Sequence, residues 1–125
     1  MEQVKPSEVL EQFLSYMDTV KAEYEENFAI VGEEDRRLQD LLHALEFAPN
    51  KQERNKIATQ FQLSRKRRRI AKDKVLELEK IYDLQKDQTN RPFFKKLKGT
   101  LTQQKGTEQY LAGQREYKKR VGDDG

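Results

Sequence analysis

A chain of 125 residues in which 38% are charged and only 34% hydrophobic has little apolar surface to bury; this bounds it to one modest domain, 1–125, and favours elongated helices over a thick core. The absence of cysteine excludes disulfides and thiolate metal sites, and no apolar run suits a signal peptide or a membrane span, so an intracellular, cytoplasmic chain without a membrane partner is expected. The net charge of +3 conceals a polarity, because residues 1–50 hold twelve acidic and four basic side chains whereas residues 51–125 hold ten acidic and twenty-one basic.

Strand-type alternation is absent, and the expected fold is all-α: a long antiparallel, coiled-coil-like helical hairpin with a shorter C-terminal helical segment. The first arm is expected over about 7–47. Ser7 can cap its free amides, with Glu8 and Glu11 in the first turn. Leu10, Phe13, Met17, Val20 and Tyr24 come next at alternating spacings of three and four, and the repeat carried past Gly32 reaches Val31, Leu38, Leu41 and Leu45. Glycine inside a helix costs about 1 kcal/mol relative to alanine, so a kink or short break is expected near Gly32.

Phe47-Ala48-Pro49-Asn50 closes this arm, since proline disfavours a helical predecessor and Asn50 can cap the next helix. The second arm, about 51–88, runs without Gly or Pro and would be roughly 55 Å long. Ile57, Phe61, Ile70, Val75, Leu78, Ile81 and Tyr82 mark its apolar positions. A turn centred near Pro49 sets Leu38 on Phe61, Leu41 and Leu42 on Ile57, Tyr24 on Val75, Val20 on Leu78 and Met17 on Tyr82. The same register brings Glu33, Glu34 and Asp35 opposite the basic run at 65–69, so hydrophobic and charge matching agree independently.

Asn90-Arg91-Pro92 marks the next break. Phe93, Phe94, Leu97 and Leu101 give the last segment, about 92–120, a short apolar face beside Lys95, Lys96 and Lys98. Gly99, Gly106 and Gly113 are spaced by sevens; they either interrupt a weak helix or line one face for close helix approach. Tyr110, Leu111 and Tyr117 are candidates to dock on the hairpin, and residues 121–125 are expected to fray.

Catalytic chemistry finds no constellation. His43 is the single histidine, flanked by Leu42 and Ala44, and reads as a partly exposed helix residue. Lys-Gly-Thr, present at Lys98 and Lys105, reverses the order of a phosphate-cradling loop. Adjacent carboxylates on one helix diverge and do not converge on a metal. A non-enzymatic chain without cofactor or metal is therefore expected.

Arg65, Lys66, Arg67, Arg68 and Arg69 admit three readings. They pair internally with Glu33, Glu34 and Asp35; they hold phosphates of DNA or RNA, extended by Lys72, Lys74, Lys95, Lys96 and Lys98; or they engage an acidic protein. A sharper form of the second treats residues 57–64 as the start of a helix-turn-helix, with Ser64 capping a recognition helix, although Gln62 and Arg68 fit that pattern poorly. Conversely, the acidic side chains Glu23, Glu25, Glu26, Glu33, Glu34 and Asp35 form a surface able to imitate phosphates toward a protein or nucleoprotein partner. A seam this thin also leaves apolar surface for a second copy, so a homodimer is among the expected assemblies.

From residue 38 to 84 the leucine-bearing helix, short turn, arginine cluster and Lys72-Asp73-Lys74-Val75-Leu76-Glu77, with the ending at 117–121, resemble small charged helical-hairpin proteins of phages of Gram-positive bacteria. The resemblance implies an accessory or inhibitor, acting inside the host cell on replication, transcription or defence machinery, and it identifies no site residue.

Overall fold

In a computed structural model, which describes residues 3–113, the chain forms three helices: α1 over Pro6–Glu46, α2 over Lys51–Lys86 and α3 over Arg91–Ala112. No strand is present among the described residues. The first two lie against each other as the expected antiparallel hairpin. The four residues between them turn the chain, and the Asn50 side chain accepts the Glu53 amide at 2.9 Å, satisfying a donor that the first helical turn leaves open.

Two details of α1 differ from expectation. The helix runs unbroken through Gly32, because packing against α2 on both sides of that residue outweighs its propensity cost. Its N-cap is Lys5, whose amide is held by the Glu8 carboxylate at 3.3 Å. Ser7 instead lies inside the first turn, 6% exposed, where its amide and hydroxyl donate to Glu108 of α3 at 3.0 and 2.5 Å.

Those bonds, with Lys105 on Glu11 at 3.1 Å, place α3 antiparallel to the first turns of α1, beyond the end of α2. The third helix is thus less a segment folded beside the hairpin than a continuation of its second arm, docked chiefly on α1. Gly99 and Gly106 neither interrupt it nor admit a close neighbour, since a Cβ at either would meet nothing within 4 Å. Tyr110 and Leu111, candidates for docking, are 65% and 54% exposed; Tyr117 lies outside the described residues.

Among the described residues, Leu14, Met17, Val20 and Leu41 of α1 and Ala71, Val75 and Leu78 of α2 are the buried apolar ones. Ile70, expected in the seam, is 71% exposed. One row of facing positions on α2 is Ile57, Ser64, Ala71 and Leu78, one every seven residues, and Ile70 precedes that row by one residue, about 100° around the helix. Near the turn Leu41 and Leu42 line an apolar groove with Ile57, as the register set them, and Leu45 and Phe61 line the same groove, which does not include Leu38, the expected partner of Phe61.

Farther along, long side chains meet partners displaced from the expected ones. Tyr24 stacks on Tyr82, ring centres 3.8 Å apart, and Gln85, not Tyr82, takes Met17, donating to its carbonyl at 2.9 Å. Helical side chains lean toward their own N-terminus, so two long ones on antiparallel helices lean toward each other and meet about a turn short of both backbones. Burial raises the Tyr24 phenol above its ordinary value, helped by Glu79 and Asp83. A double-mutant cycle between Tyr24→Ala and Tyr82→Ala should return a coupling of about 1 kcal/mol in urea unfolding; strict additivity would mean the rings do not meet in solution.

The Ser7 bonds hold the Glu108 carboxyl below its ordinary value of 4.5, despite some desolvation. Their contribution is therefore complete above pH 4.5 and is lost as pH falls through the lowered folded value. Ser7→Ala should speed amide exchange in α3 several-fold while the middle of α2 keeps its protection, as hydrogen-exchange NMR would record.

Candidate nucleic-acid interface

The expected meeting of the acidic triplet with the basic run occurs, and it is built around one buried carboxylate. Glu34 is 3% exposed. It accepts the Ser64 hydroxyl at 2.6 Å, Arg67 Nε at 3.0 Å and Arg37 Nε at 3.1 Å. Burial by itself would raise this carboxyl, yet the Ser64 hydroxyl and the Arg37 and Arg67 guanidinium groups outweigh it and lower its pKa. Beside it Asp35 takes Arg68 Nε at 2.7 Å, and Glu33 takes Arg37 at 3.1 Å.

These pairs remove part of the expected acidic surface. Glu34 faces the seam rather than solvent because it continues the row Val20, Asn27, Glu34, Leu41. Glu23 is drawn to Lys74 at 3.6 Å, and the lysine's pKa is raised by Glu77 first and by Glu23 after it. Glu25 accepts the Tyr82 hydroxyl at 3.1 Å and lies 3.8 Å from Lys86. Glu26 is exposed and forms no ion pair among the described residues.

The basic run divides into inward and outward members. Arg67 and Arg68 turn toward α1, while Lys66, Arg69 and Lys72 are exposed and make no ion pair among the described residues. Arg65 is intermediate: Asp35 is 3.8 Å away, and its Nε and Nη2 are buried without a hydrogen-bond partner. Arg65, Arg68, Arg69 and Lys72 line one open groove of about 190 Å³, in which Asp73 is the single carboxylate. No helix-turn-helix forms here; α2 is continuous through residues 62–64, and Ser64, expected as a cap, is 1% exposed and spent on Glu34.

On α3, Lys96 is exposed, and Lys95 and Lys98 line a second cleft near the end of α2 with Lys21 and Arg91. The last two carry cleft charge that the sequence did not single out; in the linear chain Arg91 reads only as part of a helix break. His43 is exposed and meets Phe47 edge-on, ring centres 5.1 Å apart. Among the described residues no group of three or more His, Cys, Asp or Glu side chains could hold a metal ion, and no helix is long and apolar enough to cross a membrane.

The helices divide by charge, α1 being acidic and α2 and α3 basic. α1 carries eleven acidic and three basic residues, against five acidic and twelve basic in α2 and one acidic and five basic in α3. Comparison with protein-family models, curated proteins and solved structures finds no match.

Proposed function

We propose that the chain is a non-enzymatic binding protein that grips the phosphate backbone of DNA or RNA, within a nucleoprotein complex of the cell, along the outer edge of α2. The observation that carries this reading is the groove in which Arg65, Arg68, Arg69 and Lys72 converge with only Asp73 lining it beside them, Arg69 and Lys72 being exposed and making no ion pair among the described residues. A phosphate presents several acceptors to guanidinium groups, which bind it in fixed, often two-point geometry. Imitation of phosphates by α1 is less well supported, because Glu33, Glu34 and Asp35 are already neutralised by arginines. An inhibitor of a host nucleic-acid enzyme, the role implied by the phage-type resemblance, is compatible with such a grip on the nucleic-acid component.

Electrophoretic shift of labelled DNA and RNA at several salt concentrations tests this. Replacing Lys66, Arg69 and Lys72 together by Gln should weaken binding across sequences and reduce the salt slope by about 3, roughly one per lost phosphate contact. Absence of any shift at low salt, or an unchanged slope in the triple variant, rejects the reading.

A further inference from the structure

Where α2 ends and α3 begins, the first helix and the two successive parts of the opposing arm enclose a cleft of about 280 Å³. Its apolar lining is Leu14 and Met17, each 8% exposed, and the half-buried ring of Phe94, which Phe93 meets edge-on at 5.9 Å. Its charged lining is Lys21, Arg91, Lys95 and Lys98 against one carboxylate, Asp18. None of these four cations forms an ion pair among the described residues, although α1 as a whole is rich in carboxylates.

We infer that this cleft receives one unstacked nucleotide unit of a single-stranded nucleic acid. An aromatic wall over an apolar floor suits the flat face of a base, and clustered cations at the same opening suit its flanking phosphates. Asp18 offers a carboxylate acceptor of the kind that a base amino or imino group would need. A fatty-acyl anion would use the apolar floor but has no need of four cations and an acceptor. A duplex keeps its bases paired and stacked, so it offers the cleft only its backbone. The inference rests on the proposed grip on nucleic acid and adds a preference for single strands, located 12 or more residues along the chain from the groove on α2 that ends at Asp73.

The test uses the full chain, a fluorescein-labelled oligothymidylate, a duplex of equal length, thymidine monophosphate and inorganic phosphate. Anisotropy should show that replacing Arg91, Lys95 and Lys98 by Gln weakens the single strand about tenfold or more and the duplex far less. Phe94→Leu, which keeps an apolar side chain at that position of α3, should weaken the single strand alone, with helix content and melting unchanged. The oligothymidylate should shift the NMR signals of the Asp18, Gln85 and Phe94 amides. Equal weakening of single strand and duplex, no weakening of either, or the same shifts from inorganic phosphate would overturn the inference. Shifts produced by thymidine monophosphate and not by the oligonucleotide would assign the cleft to a free nucleotide and overturn the strand-binding form. Loss of duplex binding in the α2 variant while single-strand binding persists would separate the two sites; an intact cleft with no contribution from α2 would sink the earlier reading and leave this one standing.

Discussion

Glu34→Ala is expected to lower the unfolding free energy by about 2–3 kcal/mol, among the largest single-residue losses available in so thin a seam. The loss does not come from stranded charge, because the Arg37 and Arg67 side chains are 44% and 53% exposed and can turn to water. It comes from the Ser64 hydroxyl, left unpaired at 1% exposure, and from the space vacated between the arms. Glu34→Leu fills that space and should cost far less, since a packed apolar residue often replaces a buried ion pair without loss. Urea unfolding followed by circular dichroism distinguishes the two, and an unchanged midpoint in Glu34→Ala would show that the node does not hold the arms. Acid has the same target: with its folded pKa lowered from 4.5, Glu34 contributes fully above that pH and loses its contribution as pH falls through the folded value.

Replacing Gly32, Gly99 and Gly106 together by Ala should stabilise the protein by about 2–3 kcal/mol and raise Tm by roughly 10 °C. All three lie within continuous helix, and none has positive φ. A Cβ at Gly32 would come no closer than 3.6 Å to the flexible end of Arg36, and at the other two it would meet nothing within 4 Å. Nothing in the fold therefore requires glycine there, while each glycine enlarges the entropy of the unfolded chain. Calorimetry of the single variants is the check. A fall in Tm at Gly99 or Gly106 would indicate that a second copy approaches that face, which is the homodimer expected from the thin seam.

Much of the architecture is legible in the chain because it is periodic. Alternating spacings of three and four from Leu10 to Tyr24, the absence of Gly and Pro over 51–88, and the breaks at Pro49 and Pro92 correspond to three helices whose starts, and the ends of the first two, fall within two residues of the expected ones, while the expected end of the third near residue 120 lies outside the described residues. The opposition of residues 33–35 to residues 65–69 comes from the same register. Ser64, Ala71 and Glu34 escape a search for seam residues that weighs large apolar side chains, and such a search selects Ile70 instead. The sevenfold rows Ile57, Ser64, Ala71, Leu78 and Val20, Asn27, Glu34, Leu41 are the signal that locates them.

The order of residues alone decided that the chain is helical, where it turns, and that its arms carry opposite charge, since all three depend on local propensity and on counting along one strand. Which charges remain open to a partner was decided by the folded arrangement. Neutralisation depends on three-dimensional neighbours, and the inward lean of antiparallel side chains sends Arg67 and Arg68 toward Glu34 and Asp35 while leaving Lys66, Arg69 and Lys72 outside. The same holds for Ser7 and Glu108, 101 residues apart in sequence, whose bond lays α3 along α1.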